Sequence, residues 1–215
     1  MSSYHEFREE LFPYKTFYHL THYENIKRMN KEGRLWSNYY VQKKYFEVER
    51  IDNIEINLRR QNYRIYGTKY KLGQFVPFLV NPRGPFLKSV TDGGKDKSIV
   101  MLGFNYSRPN QLYYYSDGNA ASAKTKFYKD LKAIDENINV NVINESWENI
   151  STGKSEMDYE EAKRIHQSEI LLYQSVDFND IKHIVTSNEN VKIKLDQIGL
   201  KIPVYLVPKM FFRNE

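Results

Sequence analysis

One stretch constrains the fold of this chain more than any other: Tyr18-His19-Leu20-Thr21-His22-Tyr23-Glu24-Asn25-Ile26. It reads as a short strand running directly into a helix. Thr21 with Glu24 three residues later predicts an S/T-x-x-E capping box. Ile26 and Met29 supply the helix's apolar stripe, and Gly33 is a natural stop. A strand edge meeting a helix N-terminus gathers backbone N–H groups and the imidazoles of His19 and His22 at one spot. Such a spot suits an amide or a phosphate. The plainer alternative is an ordinary strand–helix corner with two surface histidines.

The chain has 215 residues, 40% hydrophobic and 27% charged, which predicts a single domain with a real core. It has no cysteine, so disulfides and thiolate metal sites are excluded. Its five histidines form no H-x-x-x-H or H-E-x-x-H pattern, which argues against a zinc enzyme. No apolar run approaches a membrane span, and the first residues carry no signal-peptide core, so a cytoplasmic protein is expected. The net charge is +5, and 15% of residues are aromatic, 18 of them tyrosine. Positive charge with many flat rings suits single-stranded nucleic acid, because cations follow phosphates and rings stack on bases. The competing explanation is an AT-rich bacterial genome, which yields the same composition.

Along the chain, Leu35-Trp36-Ser37 reads as extended, whereas residues 38–50 mix aromatics and charges without a clear pattern. Asp52 predicts the cap of a helix to about Gln61, with Ile54 and Leu58 marking its packed face by i, i+4 spacing. The segment from about Val41 to Lys71 is basic and aromatic and reads as a lid over a site. Gly67 to Gly73 is a loop. Phe75 to Val80 is a strand whose Pro77 predicts an edge position or a bulge. Turns are expected at 81–85 and 91–95. Strands are expected at Ile99 to Phe104 and Leu112 to Tyr115, followed by the turn Ser116-Asp117-Gly118-Asn119. A helix is predicted to carry Phe127, Leu131 and Ile134. Residues 135–157 read as a long loop anchored by Trp147. After a helix from Asp158 to Gln167, Glu169 opens the strand Ile170-Leu171-Leu172-Tyr173. A strand at Ile181 to Val185, a helix from Ser187 to about Ile198 and a last strand at Ile202 to Val207 complete the chain. Strands and helices do not alternate regularly, which favours an α+β fold.

Three features carry candidate chemistry: the histidine corner, the pair Arg59-Arg60, and Glu169, an acid at the mouth of an otherwise apolar strand. No Walker A loop, G-x-G-x-x-G or G-x-S-x-G is present, which argues against nucleotide triphosphatases, Rossmann enzymes and α/β-hydrolases.

Four blocks together resemble the DarT toxins, ADP-ribosyltransferases that modify a base in single-stranded DNA. Tyr18 to Ile26 is similar to the family's opening Y-H-I-T-H-x-x-N-L. Phe75-Val76-Pro77-Phe78, followed by Pro82 and Pro85, resembles D-Y-V-P-F with its P-x-x-P. Tyr115-Ser116-Asp117-Gly118-Asn119-Ala120 resembles F-T-D-G-H-A, and His166-Gln167-Ser168-Glu169-Ile170-Leu171 resembles Y-Q-A-E-F-L. Order and spacing agree over nearly the whole chain. The chain departs from the pattern at Lys69 to Gln74, where the family has G-G-T-L-H-D, at Asn119, where it has a histidine, and at Phe78-Leu79-Val80, which shortens F-Y-F.

The resemblance implies an ADP-ribosyltransferase-like split central β-sheet flanked by helices, in one domain over residues 1–215. It implies NAD as co-substrate, no metal, single-stranded DNA as target, and a DarG-like macrodomain antitoxin as partner. The family's catalytic glutamate falls on Glu169. Its catalytic arginine falls on Arg59 when the run to Gly67 is read without a gap, and on Arg60 after a one-residue slip. NAD contacts fall on His19, Leu20, Thr21, His22 and Arg59. Thymine is the favoured target base, with guanine the alternative.

The chemistry of these residue types fits. Nicotinamide leaves NAD as a neutral molecule, so no general acid is needed, and the ribose becomes oxocarbenium-like. A carboxylate stabilises that charge and takes a proton from the attacking base. An arginine clamps a phosphate or steadies the deprotonated base. Two other readings compete: a non-catalytic module that binds single-stranded nucleic acid, and a metal-dependent nuclease using Asp92, Asp117 and Glu169.

Overall fold

The computed structural model describes residues 16–44, 46–51, 54–105, 111–129 and 136–213, with the side chains of 54–57 left aside. The expected N-terminal lead-in, the Asp52 cap, the packing of Ile54, and Leu131 and Ile134 lie outside the described residues.

Ten strands are described: β1 (Thr16–His22), β2 (Arg34–Trp36), β3 (Phe75–Leu79), β4 (Ile99–Asn105), β5 (Tyr113–Ser116), β6 (Phe127–Tyr128), β7 (Glu169–Tyr173), β8 (Ser175–Asp177), β9 (Ile181–Thr186) and β10 (Val204–Leu206). Eight form one sheet in the order β10-β9-β4-β1-β3-β7-β5-β6, and β2 with β8 makes a separate ribbon. Among the described strands of the large sheet, only β9 and β10 run parallel.

The sheet is split. β1 pairs with β4 along its whole length, from Thr16 opposite Asn105 to His22 opposite Ile99. On its other side it meets β3 at one register pair, Tyr18 opposite Leu79. β3 pairs in turn with β7 from Phe75 opposite Tyr173 to Leu79 opposite Glu169. Beyond the single junction β1 and β3 diverge, and a cleft opens between the two half-sheets.

Pro77 sits at this divergence. A strand residue directs its N and its C=O to the same side, and the Pro77 carbonyl accepts from His19 Nδ1 at 2.9 Å across the gap. The missing N–H therefore faces the split and costs the β3–β7 ladder nothing. The proline marks neither an outer edge nor a bulge, contrary to the expectation from sequence.

Both faces of the sheet are covered. Along β4, Val100, Leu102 and Phe104 join one core and Ile99 and Met101 another, as strand alternation requires. The first core takes in Ile26 and Met29 of the helix Asn25–Glu32, Trp147 and Ile150 of Trp147–Ser151, Ala162 and Ile165 of Tyr159–Ile165, and Leu195 of Glu189–Gln197. The second takes in Leu87 and Val90 of the helix Pro85–Asp92, with Met210 and Phe211. Each fully buried branched or aromatic side chain contributes roughly 1.5–3 kcal/mol. Among the described residues no helix is long and apolar enough to cross a membrane.

Several local expectations are corrected. Thr21 does not cap a helix: β1 stays paired with β4 through His22, so Thr21 is held extended, and its hydroxyl accepts from Asn25 Nδ2 at 3.1 Å. Glu24 occupies the cap position without a side-chain bond. Gly33 does end this helix, at φ 63°, a left-handed conformation that favours glycine. Leu58 is 51% exposed, so it does not mark a packed face. The buried anchor lies just beyond that helix, where Ile65 packs with Leu72, Phe75 and Tyr114. Phe127 lies in β6 rather than a helix, because the segment returns to pair with β5. The expected loop at 135–157 contains the helices Val140–Asn144 and Trp147–Ser151, capped by Asn139 and Ser146. A helix also occupies Pro85–Asp92, between the two expected turns.

Candidate active site

A cavity of about 1090 Å³ lies where the sheet splits, just above the usual range for small-molecule sites. Its walls include His19, Leu20, Thr21, Arg59, Arg60, Gln167 and Glu169. β1, the helix Ile54–Asn62 and the head of β7 thus converge on one space.

Glu169 is 4% exposed although it is an acid. Strand pairing holds it there, and its N–H donates to Ser116 Oγ at 3.0 Å from the opposite residue of β5. Its carboxylate accepts a hydrogen bond from Arg60 Nη2 and forms an ion pair with it. A buried carboxylate needs such a partner, since an unpaired buried charge is costly.

Arg60, not Arg59, is the arginine on Glu169. Arg59 lines the same cavity from a more exposed position. Neighbouring helix residues point about 100° apart, so only one of the pair reaches the acid. The register of Ile54–Asn62, fixed by the anchoring of Tyr63 at its C-terminal end, selects Arg60. Tyr63 accepts at its carbonyl from Leu72 N–H at 2.9 Å, and its hydroxyl donates to Ser122 O at 3.3 Å.

The two histidines are separated. Residues three apart on a strand face opposite sides. His19 lines the cavity; His22 does not, and stacks on Tyr23 at 4.9 Å. A carbonyl only accepts, so the contact to Pro77 O places the His19 proton on Nδ1 and leaves Nε2 as an acceptor. Burial pushes the His19 pKa below the ordinary histidine value, against the Pro77 bond, which keeps the ring neutral.

Other residues of the site carry signals that the sequence reading did not use. Gln167 and Glu169, two apart, both line the cavity. Gln167 Oε1 accepts from Asn119 Nδ2 at 3.3 Å, which ties the β7 entrance to the 116–120 turn. Arg164 secures that turn through Asp117 Oδ1 at 2.9 Å and accepts Asn119 N–H at its carbonyl at 2.8 Å. Asn25 holds the segment 46–51 along the cavity: its Nδ2 donates to Glu49 O at 2.8 Å and its Oδ1 accepts Glu49 N–H at 3.0 Å. Val48, Glu49, Arg50 and Ile51 of that segment line the cavity.

The three acids of the nuclease reading have separate cationic partners. Asp92 pairs with Lys88, Asp117 with Arg164, and Glu169 with Arg60. Among the described residues no group of three metal-ligating side chains comes together.

The model of the family described as "ssDNA thymidine ADP-ribosyltransferase, DarT" matches residues 18–212. This chain belongs to the DarT family. The match begins at the first residue of the opening block and runs through every element that lines the cavity.

Solved DarT structures share the fold. The Thermus sp. 2.9 DarT in complex with ADP-ribosylated single-stranded DNA has a TM-score of 0.78 at 19% identity, covering 92% of this chain and 96% of that one. The same protein in complex with NAD+ has a TM-score of 0.75 at 17% identity, covering 92% and 97%. Thermosipho africanus DarTG in complex with ADP-ribose has a TM-score of 0.74 at 24% identity, covering 92% of this chain and 51% of that longer one. No curated protein sequence matches the chain. The α+β class and the helix-flanked central sheet expected from the sequence are those of the DarT structures.

Proposed function

We propose that this chain transfers ADP-ribose from NAD to a thymine in single-stranded DNA and releases nicotinamide. The observation that carries the proposal is the buried Arg60–Glu169 ion pair, set in a cavity large enough for a dinucleotide and faced by a neutral His19.

Glu169 has two tasks. As the bond from ribose C1′ to the nicotinamide nitrogen breaks, its electron pair leaves with nicotinamide, and the Glu169 carboxylate stabilises the positive ribose. As the base nitrogen attacks C1′, Glu169 takes the N–H proton. Arg60 orients the carboxylate through its hydrogen bond and ion pair. His19 Nε2 offers an acceptor to a ribose hydroxyl, and the backbone of Leu20 and Thr21 borders the same space. Arg59, on the rim, is suited to a phosphate of either substrate. A base reaches this cavity only when unstacked, which favours single strands.

By family, we read the chain as the toxin of a cytoplasmic toxin–antitoxin pair, a single ADP-ribosyltransferase domain countered by a DarG-like macrodomain antitoxin. The test is incubation with labelled NAD and a thymine-containing single-stranded oligonucleotide, with and without EDTA. Covalent label on DNA, insensitive to EDTA and carried on thymidine in the digested product, supports the proposal. Retention without label indicates a binding module, and EDTA-sensitive cutting a nuclease.

A further inference from the structure

Just past the cavity wall the chain makes a small, tightly bonded turn. Tyr63 lines the cavity, and its carbonyl accepts Leu72 N–H at 2.9 Å, which closes the base of the turn. Arg64 and Lys71 face each other in an antiparallel bridge, and Ile65 N–H donates to Tyr70 O at 3.0 Å. At the tip, Thr68 N–H donates to Ile65 O at 3.1 Å, and Gly67, at φ 69°, takes the left-handed third position of a type II turn. Thr68 Oγ1 donates to Ile65 O at 2.9 Å and accepts Tyr70 N–H at 3.1 Å. Ile65 is fully buried and anchors the turn, yet Tyr66 beside it is 93% exposed.

A lone exposed tyrosine is ordinary; the surroundings of this one are not. Residues 59–71 hold five Arg and Lys residues and no acid. Among the described residues, Arg64, Lys69 and Lys71 form no ion pair: Lys69 Nζ lies 5.6 Å from the centre of the Tyr70 ring, and Lys71 Nζ donates to the neutral Asn62 Oδ1 at 3.2 Å. The Tyr63 hydroxyl donates to Ser122 O at 3.3 Å, so residues 118–129 border the same end of the cavity. That segment carries Lys124, Lys126 and Lys129 and again no acid. Asp117 and Glu161, the acids beside it, are both bound to Arg164. The turn runs into Lys69 to Gln74, where the chain departs from the family's G-G-T-L-H-D, so its two lysines belong to this chain rather than to the pattern.

A ring held out by a bonded turn, among cations that have no counter-charge, is complementary to a strand with a negative backbone and flat, unpaired bases. Three residues of chain span at most about 10 Å, so a strand leaving the cavity at Tyr63 meets Tyr66 within its first few nucleotides. We propose that the turn 64–71 is a stacking platform for the DNA strand beside the target base: one flanking base lies on Tyr66, and Arg64, Lys69 and Lys71 hold the phosphates around it. The inference rests on the DNA reading above and extends it beyond the cavity. Every base has a π-face, so the platform adds affinity for longer strands without adding sequence preference.

The test is a double-mutant cycle on the full chain. Single-stranded oligonucleotides that keep the target thymine carry one abasic nucleotide, moved position by position along both flanks. Their affinities are measured for the unaltered protein, Tyr66→Ala and Tyr66→Trp. Tyr66→Ala is expected to weaken the intact oligonucleotide by about 10–100-fold, the worth of one stacked base. At one flanking position the abasic nucleotide weakens the unaltered protein by a similar factor and costs Tyr66→Ala nothing further. Tyr66→Trp binds at least as tightly as the unaltered protein. Lys69→Gln lowers the slope of log affinity against log salt by about 0.7, as loss of one single-strand phosphate contact requires. Tyr66→Ala leaves the melting temperature and NAD affinity unchanged, because the ring is exposed and lies outside the cavity.

Unchanged oligonucleotide affinity in Tyr66→Ala would overturn the proposal. So would a loss that couples to no abasic position, or one accompanied by a lowered melting temperature, since either marks a structural role. Unchanged DNA affinity together with lost binding of a protein partner would make the turn a protein-docking element and overturn it as well. Failure of the unaltered protein to bind or modify any oligonucleotide would overturn the DNA reading itself, a result distinct from the others.

Discussion

Arg60 and Glu169 stand 109 residues apart in the chain and form an ion pair at the split of the central sheet. The acid comes from a strand head and the base from a helix well before it in the chain. Only the join between half-sheets brings them together.

This pair separates the two arginines. Arg60→Ala is expected to lower DNA modification by about 100–1000-fold, the usual scale for a preorganised charge at a reacting centre. Arg59→Ala is expected to act through binding, weakening oligonucleotide or NAD affinity and reducing the salt dependence of DNA binding by about one phosphate contact. Modification rate and affinity, measured for both variants at two salt concentrations, decide between them. A dead Arg59→Ala beside an active Arg60→Ala would reverse the assignment.

Glu169→Gln keeps the shape of the side chain and removes its charge and basicity. Transfer to DNA in a gel-shift assay with NAD is expected to fall by about 100–1000-fold. The fold survives, since Gln still accepts from Arg60. Near wild-type transfer in a protein with an unchanged circular dichroism spectrum would remove Glu169 from the mechanism.

Asn25 bonds both backbone groups of Glu49 and so holds the segment 46–51 along the cavity. Asn25→Asp replaces the donor with an oxygen that repels the Glu49 carbonyl. Amide exchange across 46–51 is expected to rise, and the KM for NAD with it, while kcat changes less. Saturating NAD with oligonucleotide is expected to slow exchange across 46–71 in the unaltered protein. Exchange that ignores both the substitution and the ligands would mean that this segment is no lid.

Stability is expected to fall in mild acid. Burial pushes the His183 pKa from 6.5 down to about 4, and lowers those of His19 and His166 as well. Between these values the unfolded chain binds protons that the native state refuses, so stability rises with pH. The stabilising term is complete above about pH 6.5 and is lost as pH falls toward 4. For His183 it is on the order of 3 kcal/mol. Denaturant midpoints measured from pH 7 to pH 4 check the slope, and His183→Gln is expected to flatten part of it.

Gly118→Ala tests the wall that carries Asn119. An added Cβ clashes with Arg164 Nη1 and lies 2.8 Å from the Arg164 carbonyl oxygen. The side chain can swing away but the backbone oxygen cannot. A cost of about 1–3 kcal/mol is expected in thermal unfolding, as for other overpacked sites, with loss of activity as Asn119 and Gln167 shift. An unchanged melting temperature would mean that the turn relaxes freely.

Elements with a local cause were legible in the sequence. Gly33 ends its helix because few other residues accept a left-handed turn there, and Asp158 caps its helix by accepting from Glu161 N–H. Glu169 was legible as an acid out of place on an apolar strand. Elements decided by distant partners were not. Thr21 carries a perfect local cap signal, but β4 claims its backbone. Phe127 belongs to a helical pattern until β5 pairs with it.

The sequence by itself determined the α+β class, the family through its four blocks, and the candidate residue types, because these depend on side-chain identity and short-range spacing. Only the tertiary structure decided that Arg60 rather than Arg59 meets Glu169, that His19 and His22 part company, and that Pro77 lies at an internal split. Those outcomes depend on helix phase, strand facing and pairing between segments far apart in the chain, where one residue of register reverses which side chain enters the cavity.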